Sequence, residues 1–217
     1  MPHLSQRAAV VAALVLPLAL TTTSATSATH ADGTRSAHKA ERTARVGGVL
    51  SPVPTNRVTG AGYGSLTLRG NQARVNVSVA GLLDRAPHAM HIHVDGAGVC
   101  PTAKDAKPHN GRLSLNVADG MASYGMIGTS LTTRGDTSPA SALATDRFPQ
   151  RGTFHYSRSI RLSDNAVANV RSGKAVIVVH GIDYNRNGAY DGVLGASELD
   201  PKLPAEATNP ALCGALR

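Results

Sequence analysis

Two runs of alternating apolar and polar residues, separated by a three-residue turn, constrain the fold of this chain most. Tyr63–Arg69 and Ala73–Ala80 place small or apolar side chains at every second position, with Gly70-Asn71-Gln72 between them. Side chains alternate between the two faces of a strand, so each run suits a half-buried strand. Together they predict a β-hairpin.

The chain beyond this hairpin continues in short runs, which Gly, Pro, Asn and Asp interrupt, and no long amphipathic helical pattern is present. Short strands at this spacing predict an all-β sandwich or barrel. Lys174–His180 is the most apolar run and predicts a central strand. The runs predicted as strands are His88–Val94, Arg112–Val117, the weaker candidate Ala122–Ile127, Phe154–Leu162 and Lys174–His180.

Helix and loop predictions complete this picture. Ala166–Arg171 predicts a single helical turn. Two long loops are predicted, Thr129–Arg151 and Gly181–Ala211. Loops of this length are more often functional or mobile than idle.

The amino terminus has the pattern of a secretory signal peptide, predicted over residues 1–31. Arg7 precedes the apolar run Ala8–Leu20, and small polar residues follow that run. The run is too short to anchor a protein in a bilayer, and no second run resembles a membrane helix. We expect an exported protein with no membrane span, a disordered spacer over residues 32–48 and one domain over residues 49–217.

The net charge of +8 comes partly from the leader and spacer, and we do not expect a nucleic-acid-binding protein. The positive excess is mild outside the leader and spacer, no basic helix is present, and aromatic residues make up only 3% of the chain. Nucleic-acid binding favours a clustered basic face, often with stacking aromatics. Weak attraction to an anionic surface or to a small anion stays open.

The two cysteines, Cys100 and Cys213, predict one disulfide in an exported protein. The alternative is a pair of buried free thiols. Loop-closure entropy for a bridge between these positions gives roughly 4 to 5 kcal/mol of stabilisation before strain is subtracted.

His91 and His93 lie one residue apart on a predicted strand, so their imidazoles point to the same face and can converge on one metal ion. The alternative is that both are strand histidines that face solvent. His88 is expected to support the sheet. His155 is either a surface residue or a replacement ligand.

Asp183, Asn185, Asn187 and Asp191 match positions 1, 3, 5 and 9 of a calcium loop, with Gly188 at the sharp turn. Position 12 is Leu194 instead of the bidentate glutamate, although Glu198 is close in sequence. The alternative is an Asn-Gly turn with polar neighbours. Bound calcium would rigidify the loop.

Several segments, taken in order, carry a family resemblance. They are Gly64–Leu68, Ala73–Leu82, the His88–His93 segment with Cys100, Gly111–Asp119, Val178–His180 and Leu212-Cys213-Gly214. This series resembles copper/zinc superoxide dismutase over about residues 62–216. A weaker similarity is to the chordin-repeat domain, which has a similar His-x-His and a Val-x-His strand.

The resemblance implies a Greek-key, immunoglobulin-like β-sandwich with two long loops. It implies that His91, His93 and His180 are copper ligands and that Cys100 pairs with Cys213. His109 matches either the ligand that bridges copper and zinc or a histidine that binds only zinc. The implied reaction is dismutation of superoxide, a small anion.

Departures from the family pattern weaken the zinc site. Only Pro101–Asn110 lie between the first cysteine and the next predicted strand, and Arg112 stands where the resemblance expects a zinc aspartate. A cation there would repel Zn²⁺. The guiding arginine is replaced by Pro210. Zinc is therefore not expected, whereas three neutral imidazoles suit Cu²⁺ independently of any family.

Three functional hypotheses follow. The first is an exported copper-dependent superoxide dismutase or a close relative. The second is a non-enzymatic secreted module on the same framework that stores, delivers or binds metal at the surface. The third is a structural cell-envelope module without metal. A shared fold does not decide among them, and the oligomeric state is not predicted.

Overall fold

A computed structural model of the protein describes residues 43–217, so the predicted signal peptide lies outside the described residues. Within them the chain forms ten strands and three short helices. The strands are β1 (Ala44–Pro52), β2 (Ala61–Arg69), β3 (Gln72–Ala80), β4 (Met90–Asp95), β5 (Lys107–His109), β6 (Arg112–Ser114), β7 (Gly125–Ser130), β8 (Phe154–Arg161), β9 (Val176–His180) and β10 (Pro210–Ala215). The helices are α1 (Val117–Tyr124), α2 (Asp164–Arg171) and α3 (Ala205–Thr208).

Eight strands form one curled antiparallel sheet in the order β7-β4-β9-β10-β1-β2-β3-β8, and β5 and β6 form a separate hairpin. Strand β1 joins the two halves of the sheet, because most of it pairs with β2 and its last two residues pair with β10. The inner faces of both halves contribute to one hydrophobic core, for example through Val75 and Ile177. The structure is therefore mostly β, and it is consistent with the predicted all-β sandwich.

The predicted hairpin is confirmed as β2 and β3, which pair from Arg69 and Gln72 outwards. Strands β4, β8 and β9 are confirmed with small shifts at their ends. Strand β9 lies between β4 and β10, and all five of its residues are buried. A strand with neighbours on both edges and both faces covered needs apolar residues throughout, which explains its composition.

The strand predicted over Arg112–Val117 is wrong beyond Ser114, and the candidate strand Ala122–Ile127 is wrong before Gly125. Helix α1 occupies most of the interval between them. Its N-cap is Asn116, whose side chain accepts a hydrogen bond from the Asp119 amide, while the Asp119 carboxylate accepts one from the Asn116 amide. This reciprocal pair is a capping box, and it starts a helix at a point where Asp119-Gly120 resembled a turn.

The spacer predicted over residues 32–48 needs a correction at its carboxyl end. Residues 44–48 belong to β1, while residues 32–42 lie outside the described part of the chain. The backbone of β1 pairs with its neighbours without needing apolar side chains, so the hydropathy pattern gave no signal. Gly48 also allows close approach, because a Cβ there would overlap the carbonyl oxygen of Ala215.

The helical turn predicted over Ala166–Arg171 begins earlier, since α2 starts at Asp164 with the Ser163 side chain capping the Ala166 amide. The two long loops are present. The first begins two residues later than predicted, because β7 continues to Ser130, and it extends to the start of β8 at Phe154. The second contains α3. Both loops contribute residues that cover the outer face of β4 and β9, where the candidate site lies.

Candidate metal centre

Adjacent antiparallel strands bring three histidines together. His91 and His93 on β4 lie opposite Val178 and Val176 on β9, and His180 ends β9. Because side chains alternate along both strands, Met90 and Ile92 enter the hydrophobic core while the three imidazoles lie on the other face. One nitrogen from each ring lies within 4.8 Å of the corresponding nitrogen of the other two. The convergence predicted for His91 and His93 is confirmed, and His180 joins them.

Backbone carbonyls fix the orientation of each ring through the nitrogen that faces away from the cluster. His91 Nε2 donates to Ala142 O at 3.1 Å, His93 Nδ1 donates to Gly125 O at 2.9 Å, and His180 Nδ1 donates to Thr208 O at 2.7 Å. A carbonyl only accepts hydrogen bonds, so each of these nitrogens carries the proton of a neutral ring. Each remaining nitrogen therefore presents a lone pair.

Those remaining nitrogens are His91 Nδ1, His93 Nε2 and His180 Nε2, and all three are buried without a hydrogen-bond partner. The side chains themselves are at most 2% exposed. An unsatisfied buried polar atom costs about 1–3 kcal/mol. Three such nitrogens that face one another can all donate their lone pairs to one metal ion, which would satisfy them.

Burial keeps the site neutral. It lowers the pKa of His93 to about 3 and that of His180 to about 4, and it lowers the pKa of His91 well below 6.5. Repulsion from His180 lowers the pKa of His91 and His93 further. A metal ion binds the unprotonated imidazole, so the three ligands are ready at neutral pH without first losing a proton.

A narrow apolar mouth lies above His91 and His180. It leaves about 20 Å³ for solvent, roughly the space of one water molecule. Both long loops contribute to its walls, and no charged side chain lines it. The residues around the two histidines are Pro87, Ala89, Ala142, Leu143, Thr145, Leu199, Leu203, Ala207 and Thr208.

The predicted disulfide between Cys100 and Cys213 is confirmed, with the two Cα atoms 5.7 Å apart. Cys213 lies on β10 opposite Val178, the residue that also pairs with His91. It packs in a small second hydrophobic cluster with Val178 and Tyr124. The bridge therefore joins the loop after β4 to the sheet beside the histidines.

His109, predicted as a further metal ligand, does not join the cluster. Its Nε2 lies 2.6 Å from Asp119 Oδ2, and Lys107 Nζ lies 3.1 Å from the other oxygen of the same carboxylate. The hydrogen bond from His109 and the ion pair from Lys107 attach the β5–β6 hairpin to the start of α1. Arg112, next to this hairpin turn, donates to the carbonyl of Val193 on the exposed surface.

The other two histidines within residues 43–217 have ordinary structural roles. His88 is fully buried, with Nε2 2.8 Å from Leu83 O and Nδ1 3.0 Å from His180 O, so it supports the sheet as expected. His155 is exposed and hydrogen-bonds Ser78. The surface interpretation of His155 is the one that fits the structure.

The loop that resembles a calcium site is closed by its own polar groups. Asp183 accepts hydrogen bonds from the Asn187 and Gly188 amides, and the Asp191 carboxylate accepts from the side chains of Asn185 and Asn187. Calcium binding here stays a prediction.

Two glutamates near this loop differ in their roles. Glu198 caps the amides of Val117 and Ala118 at the start of α1. The buried carboxylate of Glu206, which the sequence gave no reason to select, holds the loop by accepting hydrogen bonds from the amides of Tyr184 and Asp191, each at 2.6 Å. The glutamate close to the loop in sequence is therefore not the one that contacts it.

A scan against protein-family models finds no match to this chain, and a search of curated proteins finds no relative. No helix in residues 43–217 is long and apolar enough to cross a membrane.

Proposed function

We propose that this chain is an exported copper-binding protein in which His91, His93 and His180 hold one copper ion. The observation that carries the proposal is the set of three buried, unpartnered nitrogens that face one another. The other nitrogen of each ring donates a hydrogen bond to a backbone carbonyl, so the unpartnered nitrogens are the ones that can bind a metal ion. The disulfide supports export, because such bridges persist in oxidising compartments.

Copper is the metal that this donor set favours. The site offers three neutral nitrogens and no thiolate or carboxylate, and copper leads the affinity order of divalent metals for nitrogen ligands. Zinc also accepts three histidines and a water molecule. Competition between the two ions is therefore part of the test below.

The framework itself we propose to be a Greek-key sandwich of the copper/zinc superoxide dismutase type. The His-x-His strand, the central Val-Val-His strand and the Cys100–Cys213 bridge support this assignment. Bound copper would supply one-electron redox chemistry, which is what dismutation of superoxide requires. The residues of the chain orient three imidazoles, exclude bulk water and leave space for one small molecule.

The mouth favours the non-enzymatic role, in which the domain holds copper without fast turnover. Cationic side chains at a site raise the rate at which a small anion arrives, and this mouth has none. Its apolar walls also impose a desolvation cost on a charged substrate. Metal storage, delivery or surface binding is therefore the role we place first, with superoxide dismutation second.

The test is metal loading of the purified protein, with His91→Ala compared with His155→Ala. We expect one copper per chain in the parent protein and in His155→Ala, tighter binding of copper than of zinc, and loss of stoichiometric binding in His91→Ala. A superoxide-decay assay on the copper-loaded protein separates the two roles. If its rate is close to that of the metal-free protein, only the copper-binding role remains. Equal copper binding by both variants would contradict the proposal.

A further inference from the structure

The outward face of the half-sheet β1-β2-β3-β8 carries a one-signed charge. Cross-strand register places its outward residues in rows, and two neighbouring rows hold Arg45–Thr67–Arg74–Ser159 and Arg69–Gln72–Arg161. All four arginines are exposed. No Asp or Glu occupies any outward position of these four strands. We call the four arginines with Thr67, Gln72 and Ser159 the arginine face.

The geometry of the arginine face follows from the register. Neighbouring strands are about 4.8 Å apart, and successive outward residues are about 6.7 Å apart along a strand. Arg69 and Arg161 both lie opposite Gln72, so Arg74 is the diagonal neighbour of each, at about 7–8 Å between Cβ atoms. The Cα atoms of the four arginines therefore span about 14 Å across the four strands and about 7 Å along them.

None of these four guanidinium groups has an ion pair or hydrogen bond with another residue of the described chain, 43–217. Arg74 lies diagonally across from both Arg69 and Arg161, so like charges are neighbours on this face and no carboxylate on it offsets their repulsion. The side chains of Thr67, Gln72 and Ser159 also have no hydrogen bond to another residue in this described part of the chain. Together with Arg69 and Arg74 they line a shallow surface depression. Seven polar side chains thus present their hydrogen-bonding groups to the same patch of solvent.

We propose that the arginine face binds a linear, phosphate-bearing polyanion of the cell exterior. Guanidinium groups bind phosphate oxygens through paired hydrogen bonds, and a repeating polymer can reach several of them at once. The arginine face has no aromatic side chain on which a base could stack, because the exposed Tyr63 of the same outward face lies two rows away, and this disfavours nucleic acid. Val49, the other exposed large apolar side chain there, pairs with Tyr63, so the arginine face itself offers no apolar anchor of the kind that a protein partner uses. This inference does not depend on the metal site, which lies on the other half of the sheet.

The probe is labelled inorganic polyphosphate, titrated against the purified protein at about 20 mM and about 200 mM salt. Binding should weaken steeply with salt, because each neutralised phosphate releases a counterion. Arg69→Gln/Arg74→Gln should weaken binding about ten- to thirtyfold at low salt. The matched control is Arg85→Gln/Arg151→Gln, which removes the same charge from exposed arginines outside the face and should change binding less than about threefold.

Thermal unfolding shows that each variant is folded, and Arg69→Gln/Arg74→Gln should melt no lower than the parent because it removes like-charge contacts. A second pair, Arg45→Gln/Arg161→Gln, should reproduce the loss of binding. An equal loss of polyphosphate affinity in the arginine-face and control variants would show that only net charge matters, and it would overturn the proposal. Absence of polyphosphate binding at low salt would also overturn it, as would tighter binding of sulfated heparin than of polyphosphate.

Discussion

Acid should unfold the metal-free protein because its three cluster histidines are buried in the neutral form. Their pKa values lie far below 6.5 in the folded state, with His93 at about 3 and His180 at about 4, whereas the unfolded chain titrates near 6.5. Between these limits the unfolded state binds more protons than the folded state. Stability is therefore complete above the unfolded pKa and falls as the pH drops below 6.5.

The magnitude follows from proton linkage. Lowering the pH from 7 to 5 costs about 2 kcal/mol for one such histidine and about 4 kcal/mol for His93 and His180 together, and His91 adds a cost of the same sign. A typical domain has only about 5–15 kcal/mol of stability. The metal-free protein should therefore lose a large share of its stability over this range. Bound copper should protect it, because a nitrogen that ligates a metal cannot take up a proton.

Urea unfolding followed by circular dichroism at several pH values between 5 and 7.5 measures this slope with and without copper. Replacing His93 with Gln should remove about one proton from the linkage, which flattens the slope by about 1.4 kcal/mol per pH unit below pH 6. His155→Ala is the control, since that side chain is exposed. An unchanged slope in the His93 variant, or equal slopes with and without copper, would refute the reasoning.

Three further predictions concern the framework of the site. Replacing Cys100 and Cys213 together with Ala should lower the free energy of unfolding by roughly 4–5 kcal/mol, measured by urea titration, whereas a loss below about 1 kcal/mol would show that the loop-closure argument fails. Gly125→Ala should destabilise the protein by about 2 kcal/mol or more, because Gly125 has a φ of +86° and a Cβ there would overlap the backbone of Val94. It should also weaken copper binding, because the Gly125 carbonyl orients His93. An unchanged melting temperature and copper affinity would contradict this prediction. Calcium should raise the melting temperature of the parent protein but not of Asp183→Ala, and a melting temperature insensitive to calcium chelation would remove the loop hypothesis.

The sheet and two of the three candidate metal ligands followed from local patterns. Alternation with a period of two marks β2, β3 and β8 because one face of each packs in the core while the other is exposed. The same period places His91 and His93 on one side of β4. His180 entered through a resemblance and not through local pattern, since strand pairing over nearly ninety positions is a property of the tertiary structure.

The parts that the sequence did not predict depend on contacts between distant segments. The carbonyl acceptors at Gly125, Ala142 and Thr208 orient the rings, but any residue has a carbonyl, so no side-chain pattern marks them. Helix α1 had a signal, the Asn116–Asp119 capping box, which an apparent Asp-Gly turn masked. His109 was assigned as a ligand through the resemblance, whereas its partner in the structure is Asp119 on α1, a helix that was not predicted.

X-ray absorption spectroscopy of the copper-loaded protein tests the central claim most directly. We expect three imidazole nitrogens about 2 Å from the copper and no sulfur ligand, with one imidazole lost and copper binding weakened in His180→Ala. Copper with fewer imidazoles in the parent protein, or an unchanged spectrum and affinity in His180→Ala, would contradict it.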